Sequence, residues 1–347
     1  MSTVEPVILP ILIEDIQTDL IRFLASSDIV NDSGHVYSWL NPNHPGFIYP
    51  EAMGLYLTLI SQLASSRNDP RLTERAHTVA RGLQESISLS GGIGKDGKLY
   101  LFDTCIAVTG LLTYKERLQG HVDPAVLLCM ARFVVEMMQR RLSLVADDGS
   151  VPKVVPHWST VFGASMLKTI IGLDALAVNT GEDIYCTLAL EIADEIVRDY
   201  LSDGAFHVFS HANTVYCHAH CYALEGLLRL RARGYRDTTL ILYAGANRLQ
   251  NWQNADGSLF NWYNAPLRKQ CKVSDATAQA VRIWLAVDRG TYLPAIERGL
   301  AFLAQLRSPE LGLYYSASSL DVNSWASIFA VQAMEWYLNG VRVDQIV

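Results

Sequence analysis

Long segments with apolar residues at helical spacing alternate along this chain with connectors rich in glycine and aromatic residues. Six segments are apolar almost all round: GLYLTLISQLA, TCIAVTGLLTYKE, STVFGASMLKTIIGLDAL, HCYALEGLLRLRARG, TAQAVRIWLAV and NSWASIFAVQAMEWYL. Such helices are buried on several sides. Between them lie segments with one apolar and one polar face, such as RLTERAHTVARGLQESI, DPAVLLCMARFVVEMMQRRL and DIYCTLALEIADEIVRDYL. These predict helices with one wet side. TTLILYAGANRLQNWQ and YLPAIERGLAFLAQLR read the same way.

The all-round apolar segments begin near Pro50, Asp103, His157, His218, Asp275 and Asp321, at separations of 46 to 61 residues. A repeat of about 55 residues is too short for an independent domain and suits one helical hairpin. Six hairpins predict an all-α fold, the closed double ring called an (α/α)6 toroid, with residues 1–347 as a single domain. Closure protects the terminal apolar faces that an open solenoid, the competing fold, would cap with special repeats. The connectors hold Val, Ile and Tyr and can form short hairpins, but neither a βαβ alternation nor Gly-x-Gly-x-x-Gly occurs.

Length and composition fit this picture. The chain has 347 residues, 50% apolar and 18% charged, which excludes a disordered chain. The net charge of −7 argues against a general phosphate-backbone binder, so no nucleic-acid partner is expected. The amino terminus lacks a basic region, and Glu5, Glu14 and Asp15 bracket its apolar part. No signal peptide, spanning helix or stable membrane insertion is expected, and a cytoplasmic location follows. Residues 7–13 are expected to tuck into a neighbouring hydrophobic groove. Six cysteines in this length form no dense disulfide scaffold. The oligomeric state is left open.

In a toroid, the connectors that precede the inner helices gather at one end of the central cavity. Helix N-termini there offer unpaired amides and a positive dipole end. The polar residues at this recurring place are Glu51, Asp103, His157, His218, His220, Asp275 and Asp321. Tyr49, Trp158 and Trp262 stand among the nearby aromatics, and the densest polar cluster is His207, His211, Tyr216, Cys217, His218, His220, Cys221, Tyr222 and Glu225. Aromatic walls with a few acids and histidines suit a sugar, and also a polyene whose cations rest on π faces. Capping is the competing role for Asp103, Asp275 and Asp321, and a hydrogen-bonded core position is the competing role for the histidines.

No cofactor is expected. Zinc enters because Cys217, Cys221, His218, His220 and Cys271 carry donors it accepts. Cys217 and Cys221 form a lone helical-spaced pair, however, and Cys105 occupies the place of Cys221 in its own repeat, which favours packing over a metal. No nucleophile elbow, P-loop or His-Glu-x-x-His motif occurs.

The segments FIYPEAMGLY, LYLFDTCIAVTGLL, NTVYCHAHCYALEGLL and SDATAQAVRIWL resemble a bacterial family of toroidal proteins encoded among exopolysaccharide-biosynthesis genes. The family pattern falls on Pro50-Glu51-x-x-Gly54-Leu55, on Phe102-Asp103-Thr104-Cys105, on Cys217 to Leu228 and on Ser274 to Trp284. The chain departs from it at Cys105, where glycine is usual, and at Cys217 and Cys221. The wider fold group implied by the resemblance includes six-hairpin glycosidases, sugar epimerases, polysaccharide lyases, terpenoid cyclases and lanthionine cyclases. It implies a cavity before it implies a reaction. The Asp-x-Asp-Asp acid motif of the terpenoid cyclases and the cysteine order of the lanthionine cyclases are both absent.

The leading expectation is an enzyme for a small-molecule or oligosaccharide substrate, of glycoside hydrolase, lyase or epimerase type. Asp103 or Asp275 protonates a leaving oxygen, and the other acid or His218 activates water or removes a proton. Carboxylates about 6.5 to 9.5 Å apart would fit inversion, and about 5 to 5.5 Å retention. Glu51 and His157 orient the substrate; if His157 and His218 flank one sugar carbon, epimerisation or elimination fits better. The rivals are a terpenoid cyclase-like enzyme acting on an isoprenoid and a non-catalytic binding protein of a polysaccharide pathway. That last reading requires every acid to be engaged as a cap or ion pair.

Overall fold

The computed structural model describes residues 8–44 and 46–347, with the backbone alone for Ile8 and Leu9. Its helices are α1 (Ile8–Ala25), α2 (Pro50–Arg67), α3 (Pro70–Glu85), α4 (Leu101–Leu118), α5 (Pro124–Gln139), α6 (Ile170–Thr180), α7 (Asp183–Tyr200), α8 (Cys217–Ala232), α9 (Thr239–Trp252), α10 (Ser274–Gln305) and α11 (Ser324–Asn339). A 3₁₀ segment, Ala164–Thr169, leads into α6. Helix α10 is two rods: Asp288 leaves helical geometry at φ −165° and ψ 96°, and its side chain accepts from the Thr291 N–H at 3.1 Å. Asp288 thereby ends one rod and caps the next.

The rods form two rings. The inner ring runs α2, α4, the 3₁₀ segment with α6, α8, the first rod of α10, and α11, which meets α2 again. The outer ring holds α3, α5, α7, α9, the second rod of α10, and α1. This is the (α/α)6 toroid, and it is closed rather than an open solenoid. The sixth outer rod is the first in sequence: α1 packs against α11 and completes the last hairpin.

Burial divides the rings as the patterning requires. In α2 every residue from Pro50 to Ala64 is buried. In the outer α3 the buried set is Leu72, Ala76, Val79, Ala80, Gly82 and Leu83, a stripe on one face. Outer helices α3 and α5 begin with Asp-Pro caps: Asp69 accepts from the Arg71 N–H at 2.9 Å and Asp123 from the Ala125 N–H at 2.8 Å.

Inner helices touch backbone to backbone. A Cβ added at Gly54 would lie 2.6 Å from the carbonyl oxygen of Ile106, and one at Gly110 2.7 Å from that of Gly54. At Gly172 it would lie 2.7 Å from the Cys105 oxygen, and at Gly226 1.9 Å from the Leu167 oxygen. Only glycine fits such an approach.

The connectors form short antiparallel strands that link units. Trp39–Leu40 pairs with Val322–Asn323, and Val215–Tyr216 pairs with Trp262–Tyr263. The first pairing ties the start of the ring to its end. The apolar start 7–13 behaves differently from the groove expectation where it is described: Ile13 is buried in the core, Ile11 and Leu12 face outward, and Val7 lies outside the described residues. Among the described residues no helix is long and apolar enough to cross a membrane.

The third unit departs from the expected start at His157. His157 is irregular, residues 158–163 are turn and bend, and helical structure begins only at Ala164. Pro152 and Pro156 lack amide donors, and Gly163 adopts an extended geometry, so the chain enters this unit late. Asp321 likewise stands in the connector, three residues ahead of α11.

Replacing Gly226 by alanine should overpack the ring and cost about 1–3 kcal/mol or more. Gly290, whose Cβ would meet only the Asp288 carboxylate oxygen at 3.4 Å, is the control expected to tolerate alanine. Chemical denaturation of the two variants measures the difference.

Candidate active site

The N-terminal ends of α2, α4, α8 and α10 bring acids and aromatics together as a consequence of their shared register in the ring. The N-cap positions of these helices are Tyr49, Tyr100, Tyr216 and Val273, and none of them supplies a side-chain cap. In α2, α4 and α10 an acid follows two or three residues later, in the first turn, where the dipole favours negative charge. Asp103 and Asp275 are therefore not N-caps, and α11 is capped by Asn323 rather than Asp321, its side chain accepting from the Ala326 N–H at 2.9 Å.

A cavity of about 130 Å³ opens here. Glu51, Asp103, Lys95, Tyr49, Phe102 and Trp158 line it, with Ser159, Ser165 and Met166 on the side of the third unit. Glu51 is buried and accepts from two phenols: Tyr222 Oη at 2.5 Å on Oε1, and Tyr49 Oη on Oε2. Asp103 is half-buried and, among the described residues, no hydrogen-bond or ion-pair partner from another residue holds its side chain. Burial and the neighbouring charge of Glu51 hold the Asp103 carboxyl well above the usual range, against an opposing pull from Lys95. Burial also raises Glu51, while the hydrogen bonds from Tyr222 and Tyr49 and the charge of Lys168 favour its ionised form. The charge of Glu51 thus favours the protonated form of Asp103.

His218 and Asp275 form a second group. His218 Nδ1 lies 3.6 Å from Asp275 Oδ2, too far for a hydrogen bond, and the Trp325 indole N–H donates to the same oxygen at 3.2 Å. Burial pushes the His218 imidazole down to about 3 and the Asp275 carboxyl up to about 6. At neutral pH a neutral imidazole therefore faces an ionised carboxylate. The ring of His218 lies 4.2 Å from that of Tyr222, which connects this pair to Glu51. Trp158, Tyr216 and Phe329 enclose it on other sides.

The remaining residues singled out from sequence spread along the rim. His157 is half-buried, 3.0 Å from the Ser159 hydroxyl, with its ring against Trp158. Burial and Arg268 depress its pKa. Trp158, Tyr216 and Trp262 form a stack with centroid spacings of 4.8 and 4.6 Å. His211 is exposed and lies over Phe209, and His207 is half-buried in the connector before it. His220 stands apart from the cavity, accepting from the Phe206 N–H at 3.1 Å and packing against Trp252. Asp321 accepts from Asn41 Nδ2 at 2.7 Å on the outer rim.

Beneath the cavity lies a polar floor, of which sequence reasoning singled out Glu225 and missed Lys168 and Arg282. Lys168 Nζ is 2.6 Å from Glu225 Oε2, and Arg282 bonds the other oxygen of Glu225; all three are fully buried. Arg282 also donates to Gln332 at 2.8 Å. The carbonyl of Val347 accepts from both Lys168 and Arg282, so residues 343–347 pass under the ring and fill its far end. Burial lowers Lys168 to about 8, with Glu225 opposing. Lys168 stands 5.4 Å from the Tyr222 ring, and Tyr222 in turn holds Glu51. Lone cations in otherwise apolar segments were the available signal.

Cys217 and Cys221 are buried in the core and Cys271 is half-buried. Among the described residues no three His, Cys, Asp or Glu side chains converge as a metal site, so these donors do not fit zinc and no step is drawn through a metal.

The fold is shared with solved structures of sugar epimerases and of unsaturated glucuronyl hydrolases. The chain is similar to the structure of a sugar epimerase from a ruminal bacterium, with a TM-score of 0.75 at 13% identity over 95% of this chain and 99% of the other. It is similar to cellobiose 2-epimerase from Bacillus thermoamylovorans, with a TM-score of 0.73 at 12% identity, covering 93% and 98%. An unsaturated glucuronyl hydrolase from Streptococcus agalactiae, complexed with dGlcA-GalNAc6S, gives a TM-score of 0.72 at 15% identity, covering 96% and 93%. At these identities the shared property is the fold. No protein-family model matches the chain, and no curated protein sequence does.

Changing Glu225 to glutamine should leave Lys168 and Arg282 buried without their counter-charge. A loss of about 3–5 kcal/mol is expected, read as a lowered unfolding midpoint in denaturant.

Proposed function

We propose that this protein is a carbohydrate-active enzyme working by acid–base chemistry on a glycosidic bond, with residues 1–347 acting as one domain. The observation that carries the reading is Asp103: a partnerless carboxyl in a cavity wall, kept protonated by burial and by Glu51. Asp103 gives its proton to the leaving oxygen as the C–O bond breaks. Glu51, fixed by Tyr49 and Tyr222, stabilises the positive charge that develops on the sugar ring. Water then adds to the sugar and returns a proton to Asp103. The His218–Asp275 pair and Trp158 shape the wall behind the substrate.

Several observations favour this reading over its rivals. The cavity wall carries Lys95, Ser159 and Ser165 beside the two acids, which suits a polyhydroxylated ligand better than a hydrocarbon. Asp103 is not consumed as a cap or in an ion pair, as a purely binding protein would have every acid. Epimerisation between two histidines draws less support, because His218 is only 4% exposed and His157 is engaged with Ser159.

The test is turnover of cellobiose and of an unsaturated glucuronyl disaccharide, followed by NMR of the products. Release of a free sugar is expected from at least one. Failure to release a free sugar from either, including isomerisation without cleavage, would overturn the proposal. Asp103→Asn should lower kcat by about 10²–10⁴ with an unchanged unfolding midpoint.

The pH profile supplies an independent check. The acid form of Asp103 is the active one, so activity falls as pH rises through its raised pKa. Glu51 contributes to that raised value. Glu51→Gln removes the charge and should move the alkaline limb to lower pH, alongside any loss of rate.

A further inference from the structure

A second concavity of about 470 Å³ lies on the seam where the ring closes. It is bounded by the loop after α1, by the strand Trp39–Leu40 and by the connector leading to α11. Tyr37, Trp39 and Tyr314 supply its aromatic surface, and Asp28 and Glu310 its charge. Both acids are exposed and, among the described residues, neither has an ion-pair partner. The wall is built rather than loose. Asn41 donates to Asp321 at 2.7 Å, and the Trp39 indole N–H donates to His44 at 3.2 Å. The sheet beneath is three-stranded, Leu40 and Tyr314 both standing opposite Val322.

The groove and the cavity share no lining residue, but a row of aromatic rings runs from one wall to the other. Trp39, which lines the groove, has its ring centroid 6.4 Å from Trp325. Trp325 lies 5.6 Å from Tyr49, which lines the cavity, and its N–H reaches Asp275. Aromatic side chains thus pave the path from the acids to the seam. Ring faces accept the C–H faces of pyranoses, and flanking carboxylates accept their hydroxyls. The charges in the groove are acidic, which disfavours anionic units by like-charge repulsion.

We propose that the groove holds further, uncharged sugar units of an oligosaccharide whose reacting end occupies the Asp103 cavity. The proposal rests on the reading of that cavity as a sugar site. It makes the substrate a glycan longer than two units, and it assigns Tyr37 and Tyr314 to chain-length recognition.

Calorimetry on the non-hydrolysing Asp103→Asn protein tests this, with cellobiose, cellotetraose and a chondroitin tetrasaccharide as probes. Cellotetraose should bind at least about tenfold more tightly than cellobiose, and more tightly than the anionic tetrasaccharide. Adding Tyr314→Ala should erase most of the tetraose-over-cellobiose ratio. Equal affinity for the two neutral sugars, a ratio unmoved by Tyr314→Ala, or preference for the anionic chain would overturn the groove assignment and leave the cavity reading standing. Absence of binding by all three would remove both.

Discussion

Closing a ring of helices imposes one demand above others: every inner helix must lie against two inner neighbours as well as an outer one. The chain meets it by bringing backbones together, with Gly54 and Gly110 facing each other and Gly172 and Gly226 seated on the carbonyls of the preceding unit. Side chains that would have filled a wider ring are absent from these contacts. The interior is consequently narrow, with a cavity of about 130 Å³ where the helices begin and a concavity of about 480 Å³ at their other end. The cavity with Glu51 and Asp103 lies at those helix starts, walled by residues of α2 and α4 and of the connectors before the inner helices.

A narrow ring also has to close its far end. Here the chain uses charge, with Lys168 and Arg282 on either side of Glu225, and the peptide of Val347 bonded to both cations. Buried ion groups of this kind contribute little net stability compared with apolar packing, but they define one arrangement sharply once every partner is present. The arrangement has a reach beyond the floor. Tyr222 lies over Lys168 on one side and donates to Glu51 on the other, so the position of the floor and that of the cavity acid are set by the same side chain.

Much of the architecture was legible in the residue pattern. The all-round apolar segments are the inner helices and the one-faced segments are the outer ones, because burial on several sides and burial on one side leave different periodic signatures. The sixth outer helix escaped that count since it lies at the opposite end of the chain from its partner α11. The position of the acids at helix starts was also readable, whereas their capping role was not: a first-turn acid and an N-cap differ by one to three residues, within the error of any boundary. His218 and His220 look alike in sequence, yet two positions on a helix turn side chains to nearly opposite sides. One meets Asp275 and the other meets Phe206 and Trp252. Lys168, Glu225 and Arg282 come from three different units, and no local pattern ties them together.

The pairing of α1 with α11 sets an order on the making of the molecule. The two helices are separated by roughly 300 residues, and at about 5–20 residues per second a ribosome needs about 15–60 s to deliver the second after the first. Through that interval the sides of α1 and α2 that face α11 have no permanent cover, while α3 and α4 already cover the rest of α2 and later hairpins can dock on one another. The ring is thus a clasp whose two halves are synthesised first and last. A nascent chain stalled before α11 would display a sticky helix pair to its surroundings, which makes this seam the place where assembly and aggregation compete.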